Sequence, residues 1–226
     1  MATVYSNTND GLILTGNESS WDAARDKTSG TADTNNTNDA PLIFRTSGRG
    51  GVTFKIGRVF MYFDTSGITS TLSEATLKLY WSANTESYIV LKSTAFGGDG
   101  GTALADADFN NVTFGTPYSA EITNDGSSAY QDYTLNAAAL ADIKNDDVFI
   151  IAVIHHDHDY SDSAPGSNIN LNAGLYTTNY TGTSRDPYID YTVATGYGHD
   201  ICGLAAASIG KVSSLATANV GKVSGT

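Results

Sequence analysis

The stretch Arg58-Val59-Phe60-Met61-Tyr62-Phe63-Asp64 decides the fold class. Its side chains are apolar or aromatic at both parities from Val59 to Phe63, so a strand here must be covered on both faces. Ala75-Thr76-Leu77-Lys78-Leu79-Tyr80-Trp81 follows, with Ala75, Leu77, Leu79 and Trp81 on one face. That alternation belongs to a strand with one wet side. Outward from this pair, Gly11 to Leu14, Tyr88 to Lys92, Val148 to Ile154, Leu171 to Thr177 and Tyr188 to Val193 also read as strands, separated by turn-rich segments. Residues 28–39 are Thr, Asn, Asp and Gly and read as an exposed loop, as does Gly97 to Gly101. Helical signals are confined to two places. A serine of Ser19-Ser20 caps a turn running to Asp26, and Asn136 caps the Ala-rich segment ending at Lys144. The expected fold is an all-β sandwich of jelly-roll type with two short helices, near residues 20–27 and 136–144. Phe60, Tyr62, Leu77, Leu79, Phe149 and Ile151 should lie in its core.

The composition agrees. Of 226 residues, 40% are hydrophobic and only 16% charged. The chain is therefore long enough to bury one large core. The net charge is −12, and the twelve basic residues are scattered, which opposes a phosphate-binding surface. Neither nucleic acid nor an anionic membrane is therefore expected as a partner, and no run reaches 18 apolar residues, so no membrane span is expected. Met1 to Asn7 lack a basic segment followed by an apolar one, so no signal peptide is expected. Cys202 is the sole cysteine, which excludes an intrachain disulfide.

Beyond Asp200 the composition changes. Residues 203–213 and 214–224 align with seven identities in eleven, and Ile209 is answered by Val220. Leu204, Ile209 and Val212 are matched by Leu215, Val220 and Val223. Two copies of so short a unit cannot bury these side chains by themselves. They are the expected docking or oligomerisation residues. The chain thus divides into a sandwich domain, 1–195, and a junction with an 11-residue-repeat tail, 196–226. The period matches a helical stripe, but glycines inside each unit oppose a helix.

Two resemblances carry further expectations. Arg58 to Ile68 followed by Ala75 to Tyr80 resembles the DNRLRE jelly-roll family, with its R-x-x-x-x-F-D-x-S-x-I and A-T-L-x-L-Y strands. Tyr133-Thr134-Leu135 before the second helix is similar to that family's strand-to-helix step. Arg185 to Tyr191 is similar to its closing strand, with Asp186 as an insertion. The likeness covers roughly residues 1–194. The fold hosts carbohydrate-binding modules, surface stalks and phage virion proteins, and fold alone does not select among them. The paired Gly-Lys-Val-Ser units, and Ser20 to Asp26, resemble segments of tailed-phage and marine-virus structural proteins. What this implies is a non-enzymatic protein on a virus particle, as capsid decoration or tail appendage, associated with itself and with other virion proteins. The alternative is a carbohydrate-binding or adhesin module with glycans as ligands.

For chemistry, His155-His156-Asp157-His158-Asp159 is the notable cluster. If the preceding strand continues, His156 and His158 share a face and offer two imidazoles to Zn²⁺ or Ni²⁺, with no third ligand named by the spacing. The plainer reading is a polar strand end running into a turn. Asp99, Asp106 and Asp108 lie among glycines but lack the EF-hand spacing. Carbohydrate-binding jelly rolls carry structural Ca²⁺, which is what the resemblance offers here, whereas the residues alone suit a solvated acidic loop. No cofactor is otherwise expected. Trp21 and Trp81 fit packing better than sugar stacking. There is no Gly-x-Ser-x-Gly elbow, and Cys202 with His199 lies in the junction, so no catalytic residue is assigned.

Overall fold

The computed structural model describes residues 1–194, 211–212 and 215–216. Along the chain come β1 (Ala2–Tyr5), β2 (Gly11–Leu14), α1 (Trp21–Arg25), β3 (Thr31–Asp33), β4 (Asn38–Asp39), β5 (Ile43–Gly48) and β6 (Gly51–Asp64). Then follow β7 (Leu72–Tyr80), β8 (Ser87–Ser93), β9 (Val112–Pro117), β10 (Ile122–Thr123), β11 (Tyr130–Thr134), α2 (Ala137–Asn145) and β12 (Val148–His155). The last elements are β13 (Ile169–Leu171), β14 (Leu175–Tyr176), β15 (Tyr188–Val193), β16 (Lys211–Val212) and β17 (Leu215–Ala216). Short 3₁₀ turns occupy Phe96–Gly98 and Asp106–Asn110.

The chain is an antiparallel β-sandwich. One sheet runs β1-β15-β7-β11 and the other β10-β8-β12-β6-β2-β3, with β5 and β13 continuing from β6 and β9 pairing β8. The long strands alternate between sheets, from β6 to β7, β8, β11, β12 and β15.

The doubly apolar reading of β6 has a direct cause. Val59, Met61 and Phe63 face the other sheet, in a core shared with Leu77, Leu79 and Phe149. Phe54, Ile56, Phe60 and Tyr62 face the opposite way, into a second core closed by Trp21, Phe96 and Phe109. β12 divides likewise, with Phe149, Ile151 and Val153 toward the first core and Ile150, Ala152 and Ile154 toward the second. β7 contributes to the first core alone, and Thr76, Lys78 and Tyr80 are turned outward. All six expected core side chains are buried. Trp81 is fully buried and stacks on Tyr88 at 4.0 Å, and Trp21 packs edge-on to Phe54.

Both helices form where their caps predict. Ser20 Oγ accepts from Ala23 N at 3.2 Å. Asn136 Oδ1 accepts from Ala138 N and Ala139 N, and Ala139 and Ile143 dock α2 on the inter-sheet core.

Two expectations need correction here, and one element was not expected. Residues 28–39 are not wholly loop: β3 pairs β2, β4 pairs β14, and Asp39 is buried. Leu171 to Thr177 is not one strand, because Asn172-Ala173-Gly174 separates β13 from β14 and the two pair different partners. The β5–β6 hairpin was not anticipated; Gly48 pairs Gly51, whose φ of +108° suits glycine. Of the expected docking residues, Leu204, Ile209, Val220 and Val223 lie outside the described residues. Val212 and Leu215 pair in the antiparallel β16–β17 hairpin, where the sequence left the conformation open between a helical stripe and a bend.

Candidate functional site

The histidine cluster lies at the end of β12, at a corner organised by a buried charge. Arg58 points into the second core among Phe54, Ile56, Phe60 and Tyr62, and its side chain is fully buried. A guanidinium there must have its charge and donors satisfied. Asp159 supplies a bidentate pair, with Arg58 Nε to Oδ2 at 2.7 Å and Nη2 to Oδ1 at 2.8 Å. Nη1 donates to the Phe109 carbonyl at 2.9 Å and Nη2 to the Arg25 carbonyl at 3.0 Å. The Phe109 ring lies 4.1 Å from the guanidinium carbon. Arg25 Nε donates to the Asp159 carbonyl, and Trp21 Nε1 donates to Asp162 Oδ1, so α1 is tied to the same turn.

This pairing ends the strand. β12 stops at His155, and His156–Tyr160 form a π-type turn closed by Ser161 N to His156 O and Ser163 N to His158 O, both 3.0 Å. The strand extension assumed for His156 and His158 is therefore replaced by a turn, and the two do not share a strand face. The wide turn carries Asp159 inward to Arg58 and leaves Asp157 in solvent.

Each histidine has its own surroundings. His155 is buried, edge-on to Tyr88, with Nε2 3.3 Å from Glu86 Oε2. Burial lowers its pKa below the ordinary histidine value, and the Glu86 hydrogen bond opposes that shift. His158 donates through Nδ1 to the Ser163 carbonyl at 2.7 Å and packs against Trp21. His156 is half-buried. Its Nδ1 lies 2.9 Å from Asp157 Oδ1 and 3.3 Å from Glu121 Oε2, and its ring stacks on Tyr160. Among the described residues, Glu121, His156 and Asp157 form a group whose ligand atoms all lie within 4.8 Å of one another.

The acids proposed for Ca²⁺ serve the backbone. Asp108 is buried and accepts from Phe96 N, Ala105 N and Asn111 Nδ2. Asp106 accepts from Ala32 N, and Asp99 from Gly101 N. They shape the loop, and no common point receives all three carboxylates. A cleft of about 570 Å³ contains Lys92, Asp142 and Tyr118. There Lys92 Nζ and the Tyr118 hydroxyl both engage Asp142.

The outer face of the four-stranded sheet carries a row of tyrosines that residue patterning did not assemble. Tyr5 and Tyr188 are paired across strands with rings 5.5 Å apart, Tyr188 meets Tyr130 at 5.2 Å, and Tyr130 meets Tyr80 at 5.2 Å. Tyr176 and Tyr180 continue the row at 5.3 Å spacings. Arg185 lies 4.9, 4.5 and 4.6 Å from the Tyr80, Tyr176 and Tyr180 rings. The signal in the sequence was the parity of Lys78 and Tyr80 on β7, which puts them opposite the core. The rest of the row depends on strand pairing and a loop.

Comparison with models of known protein families finds no match to this chain, and comparison with curated proteins finds none either.

Proposed function

We propose that this chain is a non-catalytic structural protein displayed on a virus particle, as capsid decoration or a tail or fibre appendage. It is assembled through its C-terminal repeats with copies of itself and with other virion proteins. The observation that carries the reading is the repeat of Leu204, Ile209 and Val212 in Leu215, Val220 and Val223, joined to a sandwich domain with two cores built from described residues of 1–194. Two copies of so short a unit need a partner to bury these side chains. β15 lies between β1 and β7 and ends at Val193, so the repeat is joined to the domain at the end of an inner strand. The buried Arg58–Asp159 pair, held between β6, α1 and the π turn, suits a domain that keeps its shape outside a cell.

The test compares the full chain with one ending at Thr195. The shorter chain should retain the β-rich circular dichroism spectrum, lose self-association by light scattering, and fail to join particles. Equal assembly by both removes the reading.

The tyrosine row favours a second reading, a carbohydrate-binding module. Tyrosine rings offer apolar faces with polar rims, the chemistry that sugar rings require. Thr3, Lys78, Asp132 and Asp190 provide hydrogen-bonding groups along the same sheet. Glycan binding lost on Tyr130→Ala and Tyr188→Ala, with assembly intact, would favour this reading over the first.

A further inference from the structure

The geometry points to a divalent transition-metal site formed by Glu121, His156 and Asp157, with Zn²⁺ as the ion that best fits the donors. The inference is independent of the proposed structural role.

The site is built by strand register. Ile122 on β10 pairs Tyr88 on β8, and Tyr88 pairs His155 on β12. Glu121 precedes Ile122 and His156 follows His155, so residues 35 positions apart in sequence meet across the intervening β8 strand. The π turn then places Asp157 beside its neighbour's ring, with Nδ1 to Oδ1 at 2.9 Å. Such turns are uncommon and recur at functional sites, because they aim side chains that a regular strand would turn away.

The distances match a coordination shell. With metal–ligand bonds of about 2.0–2.2 Å, two donors on one ion lie about 2.9–3.5 Å apart in octahedral or tetrahedral arrangements. The His156–Asp157 and His156–Glu121 separations, 2.9 and 3.3 Å, fall in that range. An ion therefore needs little rearrangement of the backbone. It replaces the ring proton at Nδ1, which then resides on Nε2, while Tyr160 stacked on the imidazole holds its orientation.

Charge and donor type select the ion. Two carboxylates and a neutral imidazole balance a 2+ charge. One imidazole favours Zn²⁺, Ni²⁺ or Cu²⁺ over Ca²⁺ and Mg²⁺, which prefer all-oxygen shells. Glu121 and Asp157 side chains are 40% and 57% exposed, so solvent reaches the ion and water completes the shell. His158 is not among the ligands, since the group whose donor atoms all lie within 4.8 Å of one another holds Glu121, His156 and Asp157 and not His158.

The experiment is calorimetric titration of the untagged full chain with ZnCl₂, with CaCl₂ as comparison. Saturable Zn²⁺ binding at one site should weaken on the order of tenfold or more in His156→Ala and in Glu121→Gln, and persist in His158→Ala. Circular dichroism of each variant confirms folding. Zinc binding that survives both His156→Ala and Glu121→Gln, that fails only in His158→Ala, or that is absent from the wild type overturns the assignment. Equal affinity for Ca²⁺ overturns the choice of ion class.

Discussion

Asp159 and Asp39 are both withheld almost completely from solvent, at 0% and 3% exposure, and they meet burial in opposite ways. Asp159 receives a bidentate guanidinium. Asp39 has Asn36 Nδ2 on Oδ1 at 3.2 Å, while Oδ2 is buried without a hydrogen-bond partner among the described residues. Burial, reinforced by the charges of Asp33 and Asp10, pushes Asp39 up to about 7 despite the Asn36 bond. Asp10 shows a milder form. Burial raises it to about 6 against hydrogen bonds from Thr178 and Ser6. A carboxylate enters a protein interior by bringing its counter-ion, by receiving N–H donors, as Asp108 does from Phe96 N, Ala105 N and Asn111 Nδ2, or by taking up a proton. In this molecule the first solution welds α1, β6 and the π turn. The last leaves a pH-sensitive seam beside β4 and β14.

The sharpest way to break this contrast is to remove one partner of the buried pair. Arg58→Ala or Asp159→Ala strands the other charge in the second core and should lower stability by roughly 3–5 kcal/mol, read by urea denaturation. A loss near zero would mean the corner is held by packing alone.

Asp39→Asn should act in the opposite direction. A carboxyl raised from 3.8 to about 7 binds more protons folded than unfolded between those values. Its contribution to stability is therefore present at low pH and is lost as pH rises through that window. Removing the titration should stabilise the protein at pH 8 by on the order of 2 kcal/mol and have little effect at pH 4. Melting temperatures at the two pH values check the sign. His155 works the other way. Its lowered pKa gives stability that is present above 6.5 and lost as pH falls below it. The variant's remaining acid sensitivity should reflect that histidine.

The smallest expected effect concerns the support of the paired region. Ser20→Ala deletes the α1 cap and should cost about 1 kcal/mol. Because the Arg25 carbonyl accepts from Arg58, that cost should shrink in an Arg58→Ala background. Simple additivity in a double-mutant cycle would show the two to be uncoupled.

Much of the architecture was legible because it rests on local rules. The parity of Leu77 and Leu79 announced a one-sided strand, the run from Val59 to Phe63 a two-sided one, and the Ser19-Ser20 pair and Asn136 the starts of both helices. The site was legible only in part. His156 stood out by residue type, but the reading joined it to His158, since a sequence offers strand periodicity and not the turn that replaces it. Glu121 carried no signal, because its approach to His156 is a consequence of β10 and β12 flanking β8.

By itself, then, the sequence determined the sandwich class, the helix caps, the core of β6, β7 and β12, and the eleven-residue repeat. These follow from side-chain period, capping chemistry and self-similarity, which act within a few neighbours or by internal comparison. Tertiary structure alone decided that Arg58 is a core residue, that Asp159 points inward while Asp157 stays in solvent, that six tyrosines form one row, and that Glu121 joins His156 and Asp157. Each of these depends on partners brought together by strand pairing and chain reversal. The free energy of a buried charge or a shared ligand shell is set by those partners, wherever they lie in the chain.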